Sequence, residues 1–241
     1  SKRFNFMLHR IRQLMDQIIH EQEAKRKSEL DVLQSQINPH FLYNTLNSVI
    51  RLAEKGKKEE VVTTITSLSK FFRISLSKGN TIITVEEELE HVRHYLIIQK
   101  IRYKHKFNYE IQCDEAARSC KTLKLILQPI VENAIYHGIE KMPDEGWISI
   151  SAAVQGERLV LTVKDNGLGM TPQVMDQILS GNHRSGSGSG VGVNNVNERI
   201  RLCYGKPYGL HFASELEEGT SVTITLPAVS DRAEELERGI S

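Results

Sequence analysis

The sequence has few cysteines, almost no net charge and no long apolar run, and each scarcity excludes a class of protein. Its 241 residues include three cysteines, an odd number without metal-ligand spacing, which fits a reduced setting better than a disulfide framework. A net charge of +1 predicts no nucleic-acid partner, since such a partner requires a marked excess of Lys and Arg. No apolar run approaches the roughly 20 residues of a membrane helix, and Ser1 begins no signal peptide, so we expect the chain as given to be soluble.

The first 37 residues contain neither Gly nor Pro and are predicted to form one long helix. Apolar residues recur there at the a and d spacing of a coiled coil: Phe4, Leu8, Ile11, Met15 and Ile18. The stripe fades over residues 20–29 and resumes one position out of frame, which changes the local supercoil. We expect a dimeric coiled coil; the alternative is a solvated helix with a partial seam.

Two further apolar stripes at helical spacing follow Pro39. The stripes comprise Leu42, Leu46, Val49 and Ala53, and then Val61, Ile65, Leu68, Phe72 and Leu76. The basic turn at residues 55–57 separates them, so we expect a hairpin of two helices. One hairpin cannot bury both stripes by itself, whereas two copies can do so in a four-helix bundle. The sequence therefore predicts a homodimer.

The second half of the chain mixes helical and strand patterns. Helices are predicted over residues 86–102 and 122–140, and strands over 107–112, 148–154, 159–164, 210–214 and 221–226. The glycine- and serine-rich residues 181–192 cannot hold regular structure cheaply. This pattern predicts an α+β sandwich with mostly antiparallel strands. The expected domains are a signalling helix (1–28), a helical-hairpin dimerisation region (29–83), the sandwich (84–230) and a charged tail (231–241).

A predicted helix carries the first of four segments suited to a nucleotide. The amide oxygen of Asn133 can ligate Mg²⁺, a hard cation that takes oxygen ligands and keeps waters and phosphates. Glu132 can polarise the attacking group, and His137 shares a helix face with Asn133. A Glu-Asn pair on a helix is commonplace, so this segment alone does not identify a site.

The second segment runs from Asp165 to Gly169, directly after a predicted strand. The Asp165 carboxylate can accept a hydrogen bond from an exocyclic amine such as that of adenine. Gly167 and Gly169 let the backbone approach a flat ring without interference from a Cβ atom. A plain turn is the alternative, since Asp, Asn and Gly are turn formers.

The third and fourth segments are rich in glycine. A loop with Gly186, Gly188, Gly190 and Gly192 enters a predicted helix over residues 193–202, and such a loop presents backbone N–H groups to phosphates. It lacks the Lys-Ser/Thr pair of a P-loop and the preceding strand of a dinucleotide-binding fold. Gly219 and Thr220 lead into the last strand. A flexible linker and a tight turn are the respective alternatives.

In order and spacing, the four segments resemble the N, G1, G2 and G3 boxes of the GHKL ATPase superfamily. The resemblance covers about residues 84–227. It implies a Bergerat α/β sandwich that binds ATP and Mg²⁺ under a mobile lid at residues 181–190. Asn133 would then be the Mg²⁺ ligand and Asp165 the adenine acceptor.

Among nine histidines, His40 has the most specific surroundings. Residues 36–47, QINPHFLYNTLN, resemble the H-box of LytS/YesM-type sensor histidine kinases. That resemblance implies that ATP phosphorylates His40 and that the phosphoryl group then passes to an aspartate of a response regulator. A neutral imidazole offers the required lone pair. Phe41 stands where the commonest histidine kinases place an acid, so Glu132 is the better candidate for the base.

Two neighbours of His40 carry further expectations. Pro39 removes a helix N–H and is expected to kink the helix. Asn44 lies one turn after His40, where its amide can place a water for hydrolysis of a phosphoryl group; capping or packing of the helix is the alternative.

The start of the chain carries the last resemblance. Residues 3–11 resemble the end of a HAMP module more weakly, which implies a cytoplasmic fragment of a bacterial membrane protein whose membrane segments are missing. The rival hypothesis for the whole chain is a catalytically inactive GHKL nucleotide-binding signalling module.

Overall fold

The computed structural model of the chain describes residues 39–76, 81–179 and 189–229. The predicted signalling helix, its coiled-coil seam and the charged tail lie outside these residues, as does the N-terminal side of Pro39, where a kink was expected. The chain divides into two compact units, residues 1–44 and 45–241.

The two helices predicted for the helical region are present as α1 (Pro39–Glu54) and α2 (Lys58–Ser75). Gly56 adopts a left-handed φ of 70° in the turn between them. The predicted apolar stripes are only partly buried. Leu68 is buried, whereas Leu46 and Ile65 remain 41% and 44% exposed.

The helix that follows, α3 (Val85–Arg102), begins at a capping box. Thr84 Oγ1 accepts a hydrogen bond from Glu87 N at 3.2 Å, and Glu87 Oε2 accepts one from Thr84 N at 2.9 Å. The reciprocal bonds satisfy two backbone amides at the start of the helix and fix where it begins.

Helix α2 packs against α3, a contact that the sequence did not predict. The Phe71 ring stacks on the His91 ring with centroids 4.3 Å apart, and Ser75 Oγ lies 2.7 Å from His91 Nε2. Burial, with smaller effects from Lys124 and His94, lowers the pKa of His91 to about 3, so its ring is neutral. One side of α2 is therefore occupied within this chain.

A five-stranded mixed sheet forms the centre of the second half of the chain. The strands are β2 (Phe107–Cys113), β4 (Gly146–Gln155), β5 (Arg158–Asp165), β6 (Gly209–Glu215) and β7 (Gly219–Pro227). Their order is β2-β4-β5-β7-β6, with β2 and β4 parallel and the other pairs antiparallel. Alternate residues such as Ile148, Ile150, Leu161 and Val163 are buried. The predicted α+β sandwich is confirmed.

The prediction of one helix over residues 122–140 is wrong. Its first residues belong to β3 (Lys121–Leu123), which pairs with β1 (Ile82–Thr84) in a small antiparallel sheet. Helix α5 (Gln128–Asn133) begins only beside Pro129, and a π-helical segment, Ala134–Ile139, follows it. Pro129 was a missed signal, because proline is favoured in the first turn of a helix.

The remaining helices of the described residues are α4 (Glu115–Arg118), α6 (Pro172–Leu179) and α7 (Ser189–Tyr204). Neither α4 nor α6 was predicted. Helix α7 starts at Ser189, so Gly190 and Gly192 lie in its first turn and not in an irregular loop. The predicted start of this helix, at residue 193, was therefore four residues too late, because glycines are poor helix formers that a helix nevertheless tolerates.

Candidate functional site

The Asp165 carboxylate lies at the end of β5 and is 5% exposed. Its Oδ1 accepts a hydrogen bond from Gly167 N at 2.8 Å. Burial raises the pKa of Asp165 to about 6, and the backbone hydrogen bonds from Gly167 and Thr220 partly oppose that rise. The site thus contains a buried acceptor that changes charge close to neutral pH.

The G1 and G3 segments pack closely against the backbone that surrounds Asp165. Gly169 has a φ of 65°, and a Cβ atom there would collide with the carbonyl oxygen of Glu215. Gly219 has a φ of 105°, and a Cβ atom there would collide with the carbonyl oxygen of Asp165. Both positions therefore require glycine, for backbone conformation and for space.

The hydroxyl of Ser214 joins the same two segments. Its Oγ donates to Gly219 O at 2.9 Å and accepts from Met170 N at 2.8 Å, with Thr220 Oγ1 2.9 Å away. The structure thus brings together the predicted Asp165, Gly167, Gly169, Gly219 and Thr220. Ser214 was not predicted, because a serine within a strand gives no distinctive signal.

Glu132 and Asn133 end α5, and both are half-buried. Gln128 Nε2 donates to Glu132 Oε1 at 2.8 Å. Burial raises the pKa of Glu132, and the bond from Gln128 opposes this. Asn133 offers one neutral amide oxygen. Such an oxygen is a suitable ligand for Mg²⁺, which takes its other ligands from phosphates and waters. His137 is exposed within the π-helical segment.

The π-helical segment brings an unpredicted residue, Gly138, against Asp165 and Gly167. Gly138 O accepts a hydrogen bond from Leu168 N at 3.2 Å, so the segment is tied to the G1 turn. Single-turn π-helical stretches occur frequently at functional sites. An isolated glycine inside a predicted helix was the available signal, since such a glycine usually has a packing reason.

A second unpredicted residue, Glu88 of α3, fixes the loop that precedes α5. Its fully buried carboxylate accepts hydrogen bonds at 2.8–2.9 Å from three successive backbone amides, those of residues 125–127. Burial raises the pKa of Glu88, while these bonds act in the opposite direction. In the sequence Glu88 is one of three consecutive glutamates and reads as a solvated residue.

Part of the predicted phosphate-binding loop lies outside the described residues, including Gly186 and Gly188. Gly192 lies beside α5, because a Cβ atom at that position would be 3.5 Å from Pro129 Cβ. The first turn of α7 is therefore next to the helix that carries Glu132 and Asn133. The phosphate-binding role of the loop stays a prediction.

His40 belongs to the first unit and is exposed near the start of α1. The amide nitrogen of Asn44 lies 3.0 Å from His40 Nε2 and 3.2 Å from Nδ1. Asn44 therefore contacts the ring of His40 one turn earlier on the same helix.

Comparisons with known proteins match both halves of the chain. Residues 28–107 match the family model "Histidine kinase", and residues 120–230 match "Histidine kinase-, DNA gyrase B-, and HSP90-like ATPase". Sensor histidine kinase YesM of Bacillus subtilis is 37% identical, covering 94% of this chain and 38% of that protein. Sensor histidine kinase BtsS of Escherichia coli is 35% identical (83% and 34%), and sensor protein LytS of Bacillus cereus is 31% identical (89% and 36%).

The chain thus spans less than two fifths of the length of these relatives. Among the helices in the described part of the chain, none is long and apolar enough to cross a membrane. The two family models together match most of the sequence, in the order in which the predicted phosphoacceptor and nucleotide motifs occur. The chain belongs to the LytS/YesM-type sensor histidine kinases, with an ATPase domain of the GHKL superfamily.

Proposed function

We propose that this chain transfers the γ-phosphoryl group of ATP to His40 and that the group then passes to an aspartate of a response-regulator receiver domain. The observation that carries the proposal is the environment of Asp165, a buried carboxylate enclosed by glycine backbone at the end of β5. It accompanies an exposed histidine, His40, whose Nε2 lies 3.0 Å from the amide nitrogen of Asn44.

Asp165 accepts the exocyclic amine of adenine in this proposal. A carboxylate has about four lone-pair positions, so the hydrogen bonds from Gly167 and Thr220 leave capacity for a further donor. Gly167, Gly169 and Gly219 keep side chains away from the ring. Thr220 and the glycines at 186, 188, 190 and 192 are the proposed contacts to the remaining nucleotide, with His137 at the edge of the site.

The phosphate end of the site depends on Asn133 and Glu132. Asn133 would hold Mg²⁺ through its amide oxygen, and the ion would neutralise charge on the transferring group. A ring nitrogen of His40 forms the N–P bond as the bond between the γ-phosphorus and the bridging oxygen breaks and ADP leaves. The proton on the other ring nitrogen goes to Glu132, whose raised pKa suits a base.

Incubation of the purified chain with γ-labelled ATP tests this function. Label that is labile in acid and stable in alkali identifies phosphohistidine, and a second incubation with a receiver domain tests the onward transfer. A chain that binds ATP but acquires no label would instead be a nucleotide-binding signalling module.

A homodimer is proposed on the exposed apolar side chains of the helical region. Leu46 and Ile50 lie four residues apart on α1, and Val62 and Ile65 three apart on α2, all between 41% and 57% exposed. Residues 1–28 are proposed to add a coiled coil at the end of a HAMP module. The full-length protein is then a bacterial membrane protein, and this part of it lies in the cytoplasm.

Asn44 is proposed to assist dephosphorylation of the regulator by placing a water near the phosphoryl group. Its position, within 3.0 Å of a His40 ring nitrogen, supports this role. The Asn44→Ala variant is expected to keep autophosphorylation and to slow decay of the phosphorylated regulator. Decay at the wild-type rate would leave Asn44 with a packing role only.

A further inference from the structure

Gly138 lies where any side chain would meet the carboxylate of Asp165. A Cβ atom on Gly138 would be 2.9 Å from Asp165 Oδ1 and 3.3 Å from Asp165 Cγ. Its next neighbour would be Gly167 Cα, at 3.5 Å. The first contact is closer than real Cβ atoms come to a heavy atom, so something must move.

The atom that must move is the one that accepts hydrogen bonds in the site. Asp165 Oδ1 is held by Gly167 N at 2.8 Å, and the backbone of Gly219 closes the carbonyl side of Asp165. Gly138 itself is tied to the G1 turn by the bond from Leu168 N, which limits its own retreat. The displacement would therefore fall on the carboxylate.

The π-helical segment explains how Gly138 reaches this position. The segment begins immediately after Asn133, and its wide turn is closed by the bond from Glu140 N to Ile135 O at 2.8 Å. A π turn contains one more residue than an α turn, so the residues that follow it are rotated relative to an uninterrupted helix. One short segment thus links the proposed Mg²⁺ ligand to the wall of the proposed adenine contact.

We propose that Gly138 determines the specificity of the nucleotide site for adenine, because its lack of a side chain keeps the Asp165 carboxylate where it can accept the exocyclic amine. The π-helical segment places Gly138 beside Asp165. The inference rests on the proposed adenine role of Asp165. It makes Gly138 a positioning residue that acts through Asp165.

The Gly138→Ala variant tests this inference by calorimetric titration. Its Kd values for ATP, ADP and adenosine are expected to rise by a common factor of about ten, as for a weakened hydrogen bond to a charged group. GTP lacks the exocyclic amine at that position, so its affinity should hardly change and the preference for ATP over GTP should fall about tenfold. Unchanged preference for ATP overturns the inference.

Gly156→Ala is the matched control. Gly156 has a φ of 61° in the turn between β4 and β5, and a Cβ atom there would meet nothing within 4 Å. This substitution adds backbone strain without touching the site, so it should lower the melting temperature and leave every Kd unchanged. A change in Kd that occurs in Gly138→Ala but not in Gly156→Ala therefore reports displacement of the carboxylate and not a general loss of stability.

A pH profile adds a readout that a purely structural role would not move. Displacing the carboxylate from Gly167 N removes a bond that lowers the pKa of Asp165, so ATP binding by Gly138→Ala should be lost at a higher pH than in the wild type. An unshifted profile counts against the inference.

A double-mutant cycle separates this inference from the proposed function. In an Asp165→Ala background, adding Gly138→Ala should weaken ATP no further, because the displaced group is gone. If Asp165→Ala alone leaves ATP binding intact, the proposed adenine role fails. If Asp165→Ala weakens ATP binding and the fold-changes in Kd of the two single variants multiply in the double variant, the role of Gly138 fails while that of Asp165 stands. Should Gly138→Ala not fold, the double variant must fold, and its failure to do so overturns the inference.

Discussion

The helical region (α1 and α2) and the sheet domain differ in how far their apolar side chains are buried. In the sheet domain, Ile148, Ile150 and Leu161 are fully buried, and their partners lie in the same chain. In the helical region, Leu46 and Ile65 remain more than 40% exposed. The sheet domain completes its own core, whereas the helical region presents apolar surface that a second copy can cover.

The two sides of α2 sharpen this contrast. One side, with Leu68, Phe71 and Ser75, is buried and contacts α3 through His91. The other side, with Val62 and Ile65, is exposed. Helix α2 thus belongs to both regions, and a substitution on each side should report on a different assembly. In the proposed function, the sheet domain binds ATP and the helical region carries the phosphoacceptor.

The largest expected effect separates binding from chemistry. His40→Gln removes the proposed nucleophile and should abolish labelling by γ-labelled ATP. The Kd for ATP should stay unchanged, because His40 lies in the other unit of the chain. Radiolabelling and calorimetry on one preparation measure both quantities. Residual labelling at the wild-type level would remove His40 as the phosphoacceptor.

A charge on the exposed side of α2 should break the dimer. Ile65→Glu places a carboxylate in the proposed interface in both copies, and burying unpaired charge is costly, so the dimer should weaken about a hundredfold or more. Sedimentation velocity at micromolar concentrations measures this. Leu202→Glu is the control, since Leu202 is 85% exposed on α7 in the sheet domain and should leave the dimer intact. Equal behaviour of the two variants would contradict the assignment of the interface.

Lowering the pH should move binding and stability of the sheet domain in opposite directions. The pKa of Asp165 is raised from 3.8 to about 6, so at pH 5 the carboxyl is mostly protonated and ATP should bind about tenfold more weakly than at pH 7. The pKa of Asp165 is higher in the folded domain than in the unfolded chain. Its protonation therefore stabilises the folded state fully below pH 3.8, and this stabilisation is lost as the pH rises through 6. The ligand-free domain should therefore gain about 1 kcal/mol from this group between pH 7 and pH 5.

Asp165→Asn isolates this group from the other titrating residues. Its ATP affinity should be low at both pH values, and the unfolding free energy of the wild type should rise relative to that of the variant by about 1 kcal/mol between pH 7 and pH 5. A wild-type ATP affinity that stays constant down to pH 5 would contradict the role of an ionised Asp165.

The last expected effect concerns stability alone and lies on the buried side of α2. Ser75→Ala removes the partner of His91 Nε2, and His91 Nδ1 already lacks a partner within the described residues. Leaving the neutral ring unpaired should cost about 1–3 kcal/mol of unfolding free energy. Ser69→Ala, at an exposed position of the same helix, should change it by less than about 0.5 kcal/mol. Chemical denaturation measures both, and a cost no larger than the control's would show that the bond contributes nothing.

The five strands of the central sheet were predictable to within about two residues, and β4 and β5 most clearly because one face of each is buried. Alternation such as that of Ile148 and Ile150 is a local signal, and it survives folding because the pleat places alternate residues on one face. The prediction failed over residues 122–127, where the conformation depends on pairing with β1, some 40 positions earlier. A local pattern cannot report a partner so distant in the sequence.

The candidate site shows the same division. Asp165, Gly169 and Gly219 were found because their residue types are rare in that order. Gly138 and Glu88 were not found, because their roles arise from contacts between a π turn, a loop and α3. Neither residue has a neighbour in the sequence that reveals these contacts.

The hydrogen bonds of Glu88 couple local unfolding of the loop at residues 125–127 to local unfolding of helix α3. The amides of residues 125–127 have their partner not in a neighbouring strand or turn but in one carboxylate on α3. They cannot exchange with solvent deuterium until that carboxylate withdraws, and α3 is bound through His91 to α2. These amides should therefore be protected as strongly as the centre of the sheet, so the loop before Glu132 and Asn133 opens only with α3 and not as a mobile segment.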